Sequence, residues 1–167
     1  MTDKILIVNR GEIACRIMRT AKKMGLSTIA VYSEADMNSL HVQMADEAYM
    51  LGGSLASESY LDVKKIIEVI RKSGAKYVHP GYGFLSENYK FAQAVEKEGA
   101  IFVGPPSEAI KQMGDKIRSK KLAKDAGVNT IPGFLGIIRD YKEAEKIADK
   151  IGYPVIIKAS AGGGGKG

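Results

Sequence analysis

Apolar positions over the first two thirds of the chain alternate between short solid runs and longer stretches with helical spacing. Lys4-Ile-Leu-Ile-Val8 reads as a strand, since an unbroken aliphatic run of this length suits an element covered on both faces. Residues 11–24 then place Ile13, Ala14, Ile17, Met18, Ala21 and Met24 on one helical face, with Arg16, Arg19 and Lys23 opposite. Thr28–Tyr32, Ala48–Leu51, Tyr77–His79 and Ile101–Val103 are further strand-like runs. Helices are expected at 60–72, capped by Ser59 and stopped by Gly74, and at about 87–98. Strands alternating with crossover helices predict an open α/β fold, a Rossmann-like parallel sheet whose ligand crevice lies at the carboxyl ends of its strands.

The rhythm changes at Gly104-Pro-Pro106. A short helix at 107–113 leads through Gly114 into a Lys-rich helix at 115–126, so a domain boundary is expected near Gly114, dividing the chain into 1–114 and 115–167. Asp140 and Glu143 form an Asp-x-x-Glu capping box for a helix at 141–151, which Gly152 ends before Pro154 opens a strand, Val155-Ile-Ile-Lys158. There is no internal repeat, and Gly162–Gly165 is the only low-complexity stretch. A strand entering a glycine turn with nothing returning beside it leaves backbone groups unpaired, so the 167 residues are expected to be a fragment.

Composition narrows the class. With 45% hydrophobic and 26% charged residues, neither a disordered tail nor a fibrous protein fits. The longest aliphatic runs, Ile5–Val8 and Val155–Ile157, fall far short of the roughly 18 residues a membrane span needs. The first residues leave no room for a signal or transit peptide, which makes the cytoplasm the expected compartment. One cysteine, Cys15, makes neither an intramolecular disulfide nor a metal cluster and is expected to pack in its helix.

Net charge is +6, and it is unevenly spread. Residues 1–110 carry 13 basic and 13 acidic side chains, residues 111–167 carry 12 and 6. Either an anion binds in the last third, or Lys120, Lys121 and Lys124 form a solvated helix face. No groove-reading motif or basic run interleaved with aromatics points to nucleic acid.

The strongest chemical signal is Tyr153-Pro-Val-Ile-Ile-Lys-Ala-Ser-Ala-Gly-Gly-Gly-Gly-Lys-Gly167. Glycines let backbone N–H groups turn inward around phosphate oxygens, and Lys158 and Lys166 add charge-assisted hydrogen bonds. The segment is not a Walker A loop, because Ser160 stands where the first glycine belongs and Gly167 follows the lysine. The bland alternative is a linker, which seldom follows an Ile-Ile-Lys strand directly. A dinucleotide site in the first domain is disfavoured, since Asn9-Arg-Gly-Glu-Ile-Ala14 holds one glycine where three are needed, and Asp36 is read as a helix cap. His79-Pro-Gly-Tyr-Gly-Phe-Leu-Ser-Glu-Asn88 joins a strand to a helix at the ligand-facing edge. It reads equally as a ligand loop, with Gly81 and Gly83 admitting close approach and Tyr82 a flat face, or as a capping turn with Ser86 as cap and His79 hydrogen-bonded inside. His79 and His41 have no ligand spacing, so no metal site is expected.

Asn9–Ala14, His79–Asn88, Met113-Gly-Asp-Lys116 and residues 153–167, in this order and spacing, resemble the N-terminal part of the biotin carboxylases. Asn129-Thr-Ile-Pro-Gly-Phe134 together with Ala159-Ser-Ala-Gly-Gly162 most resembles the α subunits of propionyl-CoA and related acyl-CoA carboxylases. The resemblance implies a pre-ATP-grasp domain over 1–114 and the truncated start of an ATP-grasp domain over 115–167. It implies a ligase in which MgATP activates bicarbonate, as carboxyphosphate, and the carboxyl group passes to N1 of biotin on a carrier domain. Lys116 and Lys158 then bind ATP, Ile156 lines the adenine pocket, and Gly164, Gly165 and Lys166 belong to the loop closing over the phosphates. Tyr82 and Gly83 face the biotin and bicarbonate pocket. Partners implied are a biotin carboxyl carrier domain, a carboxyltransferase subunit and a second copy, with Arg16 and Arg19 either at the homodimer contact or on a solvated cationic face. The family's Mg²⁺-binding glutamates, its bicarbonate- and biotin-positioning arginines and its general base lie beyond the glycine loop, so no catalytic residue falls within 1–167 and no turnover is expected from it alone. A different ATP-grasp ligase, or a non-catalytic interaction module, are the alternatives.

Overall fold

The computed structural model describes residues 2–157 and divides into two units, 1–110 and 111–167. In the first, strand β1 (Lys4–Ile7) leads into helix α1 (Gly11–Lys23), β2 (Ser27–Ser33), a short helix α2 (Leu40–Met44) and β3 (Glu47–Gly52). Helix α3 (Val63–Ser73), β4 (Tyr77–His79), α4 (Tyr89–Lys97) and β5 (Ile101–Phe102) complete it, and α5 (Ser107–Met113) crosses the boundary between the units. Single 3₁₀ turns occupy Glu34–Asp36 and Ala56–Glu58.

The five strands are all parallel, in the order β3-β2-β1-β4-β5. Alternation along β1 divides the core between the two faces of the sheet. Ile5 and Ile7 pack with Ala14, Ile17, Met18 and Ala21 of α1, whereas Leu6 and Val8 join Ile29, Val31 and Val78 beneath Ile66, Ile70, Phe91 and Val95 of α3 and α4. Leu6, Ile7 and Val8 have no exposed surface, and each such burial stabilises the fold by roughly 1.5–3 kcal/mol. Cys15 is buried in α1, as its position predicts. Met24, expected on the inner face of that helix, lies just past its end and is 70% exposed.

Helix starts correct two expectations. Helix α3 begins at Val63, not at 60, because Asp62 and not Ser59 is its cap: the Asp62 carboxylate accepts from the amides of Lys64 and Lys65 at 3.0 and 3.3 Å. Ser59 donates its hydroxyl to Leu55 O instead. Helix α4 is capped by Asn88, whose Oδ1 accepts from Lys90 and Phe91, so Ser86 is not the cap. Gly74 terminates α3 in the left-handed conformation as expected.

In the second unit, α6 (Lys116–Asp125) and α7 (Tyr141–Ile151) are both capped by aspartate. Asp115 Oδ1 accepts from Ile117 N and Arg118 N at 2.9 Å, and these bonds hold its carboxyl below the usual range. Asp140 accepts from Glu143 N as the capping box predicts, while the Glu143 carboxylate accepts in return from Arg139 N, one residue earlier than the box requires. Among the described residues, 155–157 carry no strand pairing, and Lys158 lies outside them.

Candidate functional site

The strand order turns at β1. The chain winds outward through β2 and β3 on one side and returns through β4 and β5 on the other, so the loops leaving β1 and β4 diverge at their carboxyl ends. Such a switch point opens a crevice in any doubly wound sheet. Here it is a cleft of about 380 Å³ lined by Asn9, Arg10, Gly11, Glu12 and Ile13 after β1, and by Tyr82, Gly83 and Phe84 after β4.

Asn9 ties the two loops together. It is 4% exposed, and its side-chain amide donates to Pro80 O at 2.8 Å and Tyr82 O at 2.7 Å while Oδ1 accepts from Arg10 N. Gly81, at φ 67°, fits beneath it because it has no side chain. His79 Nδ1 accepts from Gly81 N, and burial lowers the pKa of this ring, keeping it a neutral acceptor. Gly83 also takes a positive φ, 66°, with open space where a Cβ would stand. Tyr82 is 62% exposed at the rim, and its hydroxyl donates to Glu12 Oε1 at 2.6 Å, a bond that raises its pKa.

In the loop expected to be either ligand-facing or a capping turn, Asn88 caps α4, His79 is bonded inside, and Tyr82 and Gly83 line the cleft. Asp36, read as a helix cap, is not one. Its carboxylate accepts from the hydroxyls of Tyr60 and Ser33 at 2.7 and 2.8 Å and pairs with Arg10 at 3.3 Å. Sequence reasoning missed Asn9, Arg10 and Glu12 as individual contributors. Their signal was their position, immediately after the central strand of the sheet. His41 is buried with Nε2 3.3 Å from Val31 O, and no group of three or more His, Cys, Asp or Glu side chains among the described residues is placed to hold a metal ion. No helix among them is long and apolar enough to cross a membrane.

Lys116 is the first residue of α6, Ile156 is 81% exposed, and Lys158, Gly164, Gly165 and Lys166 lie outside the described residues. Lys121 and Lys124 are exposed on α6, as Arg16 and Arg19 are on α1.

A five-stranded parallel sheet flanked by helices, with a cleft at its switch point and a second, basic unit following in sequence, defines an open α/β fold of the doubly wound kind. The family model described as the biotin carboxylase N-terminal domain matches residues 1–110, and the ATP-binding domain of the carbamoyl-phosphate synthase L chain matches residues 115–167. The chain belongs to the biotin carboxylase family. It is 64% identical over its whole length to the propionyl-CoA carboxylase alpha chain of Ruegeria pomeroyi, of which it covers 24%. Over 98% of its length it is 62% identical to the mitochondrial methylcrotonoyl-CoA carboxylase subunit alpha of Dictyostelium discoideum, again covering 24%. The biotin carboxylase domain dimer of Hydrogenobacter thermophilus 2-oxoglutarate carboxylase, in complex with MgADP, ADP and bicarbonate, superposes with a TM-score of 0.92 at 51% identity, over 99% of this chain and 36% of that one. The chain therefore spans about a quarter of the length of the curated relatives it matches.

Proposed function

We propose that these residues are the leading part of the biotin carboxylase component of a biotin-dependent acyl-CoA carboxylase, which couples MgATP cleavage to carboxylation of biotin N1 by bicarbonate. The observation that carries the reading is the match of the whole chain, both units, to carboxylase alpha chains at above 60% identity. In this reading the unit 1–114 supplies the floor of the acceptor pocket, with Tyr82 and Gly83 toward biotin and bicarbonate. Residues 115–167 begin the ATP-grasp domain. Lys116 and Lys158 hold ATP, Ile156 borders the adenine, and Gly164, Gly165 and Lys166 close over the phosphates and exclude water from the activated bicarbonate. Magnesium, with its ligands proposed to lie beyond residue 167, would offset phosphate charge when bound.

Biotin arrives on a carrier domain and leaves for a carboxyltransferase subunit, and a second copy of the biotin carboxylase part completes the assembly. The acyl acceptor is proposed to be propionyl-CoA, tested by side-by-side assay against methylcrotonoyl-CoA. The cytoplasm is the proposed compartment, tested by fractionation of the source cell. The reading itself is tested by bicarbonate-dependent ADP release in the presence of free biotin. The full-length protein is expected to show it and residues 1–167 alone are not; release by the 167 residues would overturn the division of labour.

A further inference from the structure

Behind the cleft stands a second, connected group of side chains drawn from four separate segments. Phe84, which lines the cleft, has φ 35°, a left-handed backbone that a bulky side chain rarely adopts. Strained positions of this kind persist where the surroundings over-determine them. Here the Phe84 ring stacks on Tyr60, with centroids 5.1 Å apart and planes 6° from parallel. The Arg10 guanidinium closes a triangle with these two rings, 5.6 Å from the Tyr60 centroid and 5.7 Å from that of Phe84.

Both members that hold Phe84 are in turn held by Asp36. Its carboxylate takes the Tyr60 hydroxyl at 2.7 Å, the Ser33 hydroxyl at 2.8 Å and Arg10 Nη1 at 3.3 Å. The same Tyr60 oxygen accepts from Ser33 N at 3.1 Å, so Tyr60, which has no exposed surface, cannot rotate without breaking two bonds. Burial raises the Asp36 carboxyl, but the bonds from Tyr60, Ser33 and Arg10 outweigh it and hold the group ionised below the usual range. Burial and the Asp36 charge push the Tyr60 hydroxyl up to about 12, keeping it a donor.

We infer that Asp36, Tyr60 and Arg10 act as a positioning unit, which holds Phe84 in its strained turn and thereby fixes the backbone of Tyr82 and Gly83 at the wall of the cleft. None of the three needs to touch a reacting atom. The unit acts on whatever the Tyr82–Gly83 backbone receives, which under the proposed function is biotin and bicarbonate; to that extent the inference rests on that function. Asn9 holds the loop at Pro80 and Tyr82, and this unit holds it at Phe84, so the loop is clamped at two points.

Two variants of the full-length protein test this. Tyr60→Phe keeps the stacked ring and removes only the hydroxyl bonds, and Arg10→Gln removes the guanidinium from the triangle without touching the core. Each is expected to raise the KM for free biotin about tenfold, the scale of one lost hydrogen bond to a charged group, with the KM for ATP unchanged. A shift of both KM values together, or of neither, would overturn the inference. Amide hydrogen exchange gives a readout that needs no activity. Residues 81–84 are expected to exchange faster in both variants while 66–70 of α3 keep their protection. Unchanged exchange at 81–84 overturns the positioning unit, whether or not the wild-type protein carboxylates biotin. Absence of biotin carboxylation in the wild type, with the exchange contrast present, overturns the function alone.

Discussion

A Cβ built on Gly81 would lie 2.7 Å from Nδ2 of Asn9, the atom that donates to the carbonyls on either side of that glycine. The two positions therefore depend on each other. Gly81→Ala meets both the positive φ and the Asn9 amide, and is expected to destabilise the protein by about 1–3 kcal/mol, read from urea unfolding. Asn9→Asp, which replaces a double donor by an acceptor facing two carbonyl oxygens, is expected to cost at least as much as Asn9→Ala. Equal stability of Gly81→Ala and wild type would contradict the clamp.

Asp46 sets an acid limit. Its carboxylate pairs with Lys22 at 2.8 Å and accepts from the amide and hydroxyl of Thr28, which together lower its pKa from 3.8 to about 2. A depressed folded-state pKa means that its contribution is complete above the ordinary carboxylate value and lost as pH falls through the folded one. The side chain is 44% exposed, so the contribution is discounted to about 0.5–1 kcal/mol. Asp46→Asn is expected to flatten the fall in stability between about pH 4.5 and about pH 2, measured by denaturant unfolding across that window.

His41 and His79 act in a different window. Burial lowers the pKa of both rings below 6.5, so the unfolded chain binds protons there that the folded chain does not. Stability is therefore expected to fall as pH drops through and below about 6.5, well before Asp46 titrates. Proton chemical shifts of the two rings check the direction: a midpoint above 6.5 for either would contradict it.

At the start of α6, Asp115 fixes the turn from which Lys116 departs. Asp115→Ala is expected to cost about 1 kcal/mol of stability, and Asp115→Asn much less, because asparagine still accepts the capping bonds. If Lys116 holds ATP as proposed, the alanine variant of the full-length protein also raises the KM for ATP, with the KM for biotin unchanged.

The sheet was legible because β1 and β2 carry aliphatic runs, Ile5–Ile7 and Ile29–Val31, and α1, α3, α4 and α7 each cover enough turns to show a period. Helix α2 was not, since five residues carry little more than one turn and its one buried side chain is a histidine. The start of α3 was misplaced for a tertiary reason. Tyr60 is buried like a helix-face residue, yet it lies before the helix and is held by stacking on Phe84 and a bond to Asp36. Asp36 itself looked like a cap because nothing local reveals that positions 10, 33 and 60 converge on it. The cleft was half legible: the spacing of Gly81 and Gly83 after a strand marked one wall, while Asn9 became visible only once β1 was seen next to β4.

The most direct test of the central claim is ADP formation by the full-length protein measured against bicarbonate and free biotin together. The account predicts that ADP release requires bicarbonate, rises with biotin and yields one carboxybiotin per ADP, and that Lys116→Ala and Lys158→Ala each raise the KM for ATP. ATP cleavage that ignores biotin, or that requires a different acceptor such as ammonia, would contradict it.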